Sequence, residues 1–390
     1  MYALLHSKTP LWCTSVKMGT LDETNKIHSR EHVMIKNAIL KPILKPVAAG
    51  ALAGLIALGL GTTAVSAADK KVRLNMGSAF PGKLVQLGSL GKSVAKKVKV
   101  ISGGTVQLKF FEPKALVPPL EMFDAVASGS LDAAWATPGY WFGKEPALAM
   151  FSAVPFGPRA GEYLAWYYHG GGKKLMKDIY GKHKIHSFIC GVIAPEASGW
   201  FRKEIKSLDD LKGLKMRFFG LGAKVMEKLG VSTQLIAGGD IYPALERGSI
   251  DATEFSMPAI DLELGFYQIA KHYYFPGWHQ QATLQDLIIS DKKWKELSKT
   301  QKAQIEIACG DNVREGLAEG EAIQAKALTE LKKKGVTIHR WSPEILAALE
   351  KAWKEVVTEL SASNADFKKV WASYSKFRGE YDVWKALGYL

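Results

Sequence analysis

Apolar and polar positions along residues 68–390 follow two periods. Short runs rich in aliphatic and β-branched residues read as strands at 72–79, 105–111, 131–137, 185–193, 199–202, 214–219, 250–257, 286–289 and 336–340. Helical spacing fills the intervals at 84–98, 120–127, 162–179, 222–229 and 241–246. Strands alternating with helices argue an α/β fold. After Lys292 the pattern turns helical, over 292–333, 343–360 and 365–386. In the second of these stretches Ile345, Leu346, Leu349, Ala352 and Val356 mark one apolar helix face. The expectation is two α/β lobes followed by a helical C-terminal region.

A repeat supports two lobes. Residues 125–133 read AVASGSLDA and residues 244–252 read ALERGSIDA, a separation of 119 residues. Each copy reads as a helix end, a glycine stop and a strand start, with Gly129 and Gly248 in the position where a left-handed backbone closes a helix. Pro118–Pro119 and Pro243 are expected where the helices begin, because proline is tolerated in a first turn. Two copies in one context predict lobes built alike, each strand delivering residues to one place. The boundaries expected are 1–67 for a leader, 68–191 with 280–305 for the first lobe, and 192–279 for the second. Residues 306–390 form the C-terminal helices.

The N-terminus has a different character. Lys36, Lys41 and Lys45 precede an uncharged apolar run of about 14 residues, Val47 to Leu60, and then small residues with Val65 and Ala67 at A-x-A-like positions. That is the layout of a secretory signal peptide over 34–67, and it implies export to the periplasm. The run is short of the roughly 20 residues needed to cross a bilayer; an uncleaved anchor is the alternative reading. Residues 1–33 resemble neither signal nor domain, so Met34 is the expected start.

Composition adds less. A hydrophobic fraction of 47% and a charged fraction of 23% are ordinary for a globular chain. The net charge of +14 does not form an aromatic-interleaved basic ribbon, so no nucleic-acid partner is expected. The lysines spread over helical stretches read as solvated surface with some steering of anions. Cys13 falls in the leader. Cys190 and Cys309 are far apart in sequence; pairing is open to them in an oxidising compartment, but two buried thiols are the expectation.

Motifs of catalysis are missing. Gly91-Lys92-Ser93 has Gln86 where a phosphate loop needs its first glycine, and Gly220-Leu221-Gly222 has Val225 where a dinucleotide fingerprint needs its third. No G-x-S-x-G, H-E-x-x-H or C-x-x-C occurs, and among the histidines only His183 and His186 have ligand-like spacing, on a lysine-rich segment. A binding protein, not an enzyme, is the expectation.

What remains are polar residues at strand ends beside aromatics. Arg217 lies in the apolar run LKMRFFG, and a buried arginine needs a partner that its planar fork can grip, such as a carboxylate. Glu254 follows the second repeat, and Glu196 follows Pro195 near another strand end. Tyr140, Trp141 and Trp278 supply aromatic walls. One arginine, two acids and an aromatic cage suit a small organic acid held with a cation.

These residues sit in segments that carry a resemblance. GGDIYPALERGSIDATEF at 238–255, SGWFRKEI at 198–205, LKGLKMRFFGLGAKVMEKLG at 211–230, LGFYQIAKHYYFPGW at 264–278 and AVPFG at 153–157 resemble the DctP-type solute receptors of tripartite ATP-independent periplasmic (TRAP) transporters. Within that family they are most similar to the branch that binds 2-oxo acids such as pyruvate, or lactate, with a metal ion. The resemblance covers essentially all of the chain beyond the leader. It implies a two-lobed periplasmic-binding-protein fold closing by a hinge, with the membrane permease subunits as partner. It implies that Arg217 grips the solute carboxylate, and that Glu254, the carbonyl of Phe255 and the side chain of Glu196 hold the metal. Position 196 is usually glutamine in the 2-oxo-acid binders; glutamate here favours calcium over sodium, since hard divalent ions suit several carboxylates. Phe255, where relatives carry tryptophan, and Gln280, where an acid occurs, bear on which solute is accepted. Phe80, Tyr140, Trp141, Phe219 and Trp278 are the expected apolar and stacking walls. Receptors of this branch pair through the C-terminal helix, so a homodimer through 366–387 is a further expectation. A different organic acid, aromatic, larger or dicarboxylic, is the alternative ligand.

Overall fold

The computed structural model describes residues 69–390; the expected signal peptide and Cys13 lie outside the described residues. Two sheets organise the chain. The first contains β1 (Val72–Ser78), β2 (Val106–Phe111), β3 (Ala133–Ala136), β4 (Ile185–Ile193) and β10 (Thr283–Ser290), in the order β2-β1-β3-β10-β4. The second contains β5 (Gly199–Phe201), β6 (Lys215–Arg217), β7 (Ser232–Gln234), β8 (Ala252–Thr253), β9 (His272–Phe275) and β11 (Thr337–Arg340), in the order β11-β9-β5-β8-β6-β7.

The two orders are one plan used twice. β1, β2 and β3 are mutually parallel where they pair, as are β6, β7 and β8. The next two strands of each sheet, β10 then β4 and β5 then β9, run antiparallel. The helices follow the same plan: α1 (Gly88–Ile101) and α5 (Gly220–Lys228) make the first crossover, α2 (Met122–Ser128) and α6 (Gly238–Glu246) the second. β11 is an extra edge strand on the second sheet, parallel to β9.

The sequence repeat now has a physical reading. Gly129 and Gly248 adopt φ of 77° and 71°, the left-handed turn that only glycine takes cheaply. Ser130 and Ser249 donate their hydroxyls back to the carbonyls of Ala125 and Ala244 at 3.1 and 2.9 Å. Asp132 and Asp251 then accept an N–H from the neighbouring strand, that of Asn75 at 2.9 Å and that of Lys215 at 3.0 Å. The repeat is thus a helix stop that locks the incoming strand to the first of its three parallel strands. Pro243 departs from expectation: it lies inside α6, because the preceding Gly238–Tyr242 segment already forms the first turns.

Helices α3 (Ala160–His169) and α4 (Gly172–Lys182) break at Gly170–Gly171 beside the first sheet, and α7 (Pro258–Leu264) follows β8. Short α8 (Asp291–Glu296) leads into the 35-residue α9 (Lys299–Lys333), then come α10 (Pro343–Ser363) and α11 (Ala365–Gly388). α9 touches both halves. Asn312 donates to the carbonyls of Leu90 and Cys190 at 3.2 and 2.8 Å, while Gln324 accepts from Ala259 N–H at 3.0 Å.

Cys190 on β4 and Cys309 on α9 are joined in a disulfide, with Cα atoms 4.1 Å apart. This corrects the expectation of two buried thiols. Their separation of 119 positions is along the chain only, and packing of α9 on β4 removes it. Among the described residues no helix is long and apolar enough to cross a membrane.

Candidate functional site

The chain passes between the sheets at residues 194–198, from β4 to β5, and again at 276–282, from β9 to β10. These two passages lie against each other. Gly277 N–H donates to the Glu196 carbonyl at 3.0 Å, and Glu196 N–H donates to the Gln280 carbonyl at 3.1 Å. A Cβ on residue 277 would stand 2.2 Å from the Glu196 carbonyl oxygen, so the approach requires glycine. Glu196, His279 and Gln280 are therefore fixed by the interlobe connections themselves.

Arg217 and Glu254 come from the carboxyl ends of adjacent parallel strands, since Arg217 pairs in register with Thr253. The ends of such strands are where open α/β sheets place ligands. Arg217 is 1% exposed. Its Nε donates to the Ile236 carbonyl at 3.1 Å, and its Nη1 donates to the Glu254 carbonyl at 2.9 Å and to Glu254 Oε1 at 2.7 Å. The Phe255 and Phe219 ring centres lie 5.2 and 6.0 Å from the guanidinium carbon.

The acids are buried with oxygens to spare. Glu196 Oε1 accepts from Ser256 Oγ at 3.1 Å and Thr283 Oγ1 at 3.3 Å, while its Oε2 has no partner. Among the described residues Glu254 Oε2 is also without a partner, as are both ring nitrogens of His279. Glu196, Glu254 and His279 each offer one donor atom within 4.8 Å of the others. Desolvation, then the nearby Glu254 and Asp261 carboxyls, hold the Glu196 carboxyl well above the usual range. Asp261 stands behind, pushed up to about 8 by burial against the pull of its donors. Those donors are Trp200 Nε1 at 2.8 Å, Tyr273 O–H at 2.9 Å and Ser256 N–H at 3.1 Å. Buried oxygens without donors are rare in folded chains, and a cation satisfies them. This donor set fits the expected metal ion.

A small cavity adjoins these groups. Arg217, Glu196, Gln280 and Phe255 line it on one side, and Phe80, Tyr140 and Phe219 give it aromatic faces. Burial lifts the Tyr140 phenol to about 12, with Arg217 opposing, so it stays a neutral donor. Trp141 and Trp278 do not line the cavity. Trp141 turns away to pack on Phe123, and Trp278 stacks on Phe156 and Phe218, so both brace the wall from behind. Sequence reasoning missed Thr137, Ser256, Thr283, Gln285 and His279. Gln285, whose amide atoms are both without partners, sits in the wholly buried β10. A polar amide inside that apolar run was a usable signal.

A family model described as bacterial extracellular solute-binding protein, family 7 (DctP), matches residues 77–364. A monocarboxylate 2-oxoacid-binding periplasmic protein of Nostoc sp. is 36% identical over 330 residues, covering 84% of this chain and 90% of the relative. Among solved structures, a TRAP solute-binding protein of Bordetella bronchiseptica with copurified calcium and picolinate superposes with a TM-score of 0.79 at 35% identity. That match covers 81% of this chain and 94% of the other. A TRAP periplasmic solute-binding protein of Pseudoalteromonas atlantica with sodium and pyruvate gives 0.78 at 32% identity, covering 81% and 96%.

Proposed function

Since the chain belongs to the DctP family of bacterial extracellular solute-binding proteins, and so is a transport receptor and not an enzyme, we propose that it captures a small 2-oxo or 2-hydroxy monocarboxylate together with a divalent cation and delivers it to a TRAP permease. The observation that carries this reading is Arg217, buried and lining the cavity, beside two acids each with an oxygen that has no partner among the described residues. The guanidinium edge grips the solute carboxylate; Glu196, Glu254 and the Phe255 carbonyl hold the ion. The solute's carboxylate and its 2-oxygen together make a chelating pair for that ion.

Charge balance supports a divalent ion. Glu196, Glu254 and the solute bring three negative charges, and Arg217 brings one positive. A divalent ion makes the site neutral, whereas sodium leaves one buried negative charge, which is costly. Calcium is thereby favoured over sodium. The relatives bound to pyruvate, picolinate and 2-oxo acids support the solute class.

The lobes work by hinge closure. Phe80, Thr137 and Tyr140 come from the first sheet's side, Arg217, Phe219 and Phe255 from the second, so solute bridges both and favours the closed state. The apolar end of α11, with Trp384 58% exposed and Leu387 83% exposed, is the surface we assign to a second copy of the chain. Secretion into the periplasm fits the Cys190–Cys309 disulfide.

The test is a thermal-shift and calorimetric titration of chelator-treated protein with pyruvate, lactate and longer 2-oxo acids, with and without calcium. A ligand that binds only the folded state raises the melting temperature. Stabilisation by at least one of these acids, larger with calcium, is expected; no shift with any of them sinks the proposal.

A further inference from the structure

We propose that His279 is a nitrogen ligand of the cation, and that the site therefore binds a divalent ion of the manganese-to-zinc series more tightly than calcium. This deepens the proposed function and rests on its cation site. His279 is 2% exposed, and neither ring nitrogen has a partner among the described residues. Its Nε2 lies 3.6 Å from Glu254 Oε2, which is itself unpartnered. That distance is too long for a hydrogen bond. It does match two donors on one ion, since bonds of roughly 2.0–2.2 Å place neighbouring donors about 3.0–3.6 Å apart. Glu196 supplies the third donor atom within the same 4.8 Å group.

Packing leaves the imidazole little choice of direction. Phe218 and Trp278 close on it with ring centres 4.8 and 5.2 Å away. Gly222 presses on its base: a Cβ there would lie 3.0 Å from the His279 Cβ. Its Nε2 faces the Glu254 carboxylate. A buried imidazole with both nitrogens free stands out where nearly all buried polar groups are bonded. Calcium takes oxygen donors, whereas imidazole suits manganese through zinc, with affinity rising along that series. A neutral imidazole also leaves the charge balance of the site unchanged.

The experiment titrates chelator-treated full-length protein with zinc chloride and with calcium chloride, each alone, for the parent and for His279→Asn. Direct binding by calorimetry is combined with NMR of ¹⁵N-histidine-labelled protein, and melting of each variant in chelator checks its fold. We expect one zinc per chain bound at least tenfold more tightly than calcium, with one histidine ring shifted. His279→Asn should lose that shift and at least tenfold in zinc affinity, with calcium changed less than twofold. If zinc and calcium affinities fall together in His279→Asn, the histidine only shapes Glu254 and the inference fails. It fails equally if calcium binds more tightly than zinc, or if zinc shifts only the surface histidines. Should neither metal bind the parent, the cation reading itself is wrong, a separate result. If His279→Asn does not fold, the parent's zinc-to-calcium ratio and its shifted ring decide alone.

Discussion

At Glu196 one carboxylate meets two opposite demands. Burial and the neighbouring acids favour its protonated form, while a cation needs it ionised. The sign of the pH dependence follows. With its folded-state pKa raised above the ordinary 4.5, protonated Glu196 adds stability to the cation-free protein that is full below that value and lost as pH rises. Calcium displaces the proton, so calcium binding strengthens with rising pH, by up to about tenfold per unit below the raised pKa. Calorimetry between pH 5 and 8 measures this slope, and Glu196→Gln should flatten it. Arg217, Glu254 and Glu196 were legible in the sequence because each is a charge set in an apolar run. Ser256, Thr283 and His279 were not, because what gives them meaning is a carboxylate delivered by a distant segment.

Among elements, the repeat was the strongest sequence signal, and its serine, glycine and aspartate each make the same contact in both sheets. The short strands β7 and β9 escaped notice. Ser232–Gln234 is an exposed-to-half-buried edge with no apolar alternation, and His272–Phe275 is only four residues long, with half-buried ends. β8 was expected to run through Met257 but ends at Thr253, which turns Glu254 and Phe255 out of the strand towards Arg217. The two lobes meet where Phe219 lies over Gly139: a Cβ at 139 would stand 2.3 Å from Phe219 Cζ. Gly139→Ala should therefore oppose closure and weaken solute binding by tenfold or more while leaving the fold intact. Titration of solute beside a melting curve of the free variant separates the two effects. Equal affinity would show that Phe219 swings aside without cost.

For the whole molecule, α9 is the element that ties the halves together. At 35 residues it is about 50 Å long. The Cys190–Cys309 bond fixes it to the first sheet. On the proposed hinge closure, the second sheet would rotate against a body made of the first sheet and α9. Closing a loop of 119 residues, the disulfide should contribute about 2–5 kcal/mol. Cys190→Ala with Cys309→Ala should lower the melting temperature accordingly, without changing solute affinity in the folded protein; an unchanged melting temperature would show that packing alone holds α9. The two-lobe plan was readable from the repeat, but this tie was not, because nothing local in the sequence says that residues 190 and 309 meet.

Glu196, Glu254 and His279 are each no more than 3% exposed, and this has a kinetic consequence. In the closed state a chelator in solution has no path to the ion. Once chelator is in excess, the rate of ion loss from loaded protein should become independent of its concentration and equal the rate at which the lobes part. Stopped-flow mixing with a chromogenic chelator would thus time the opening. A rate that climbs in proportion to chelator would reveal a channel to the ion in the closed form.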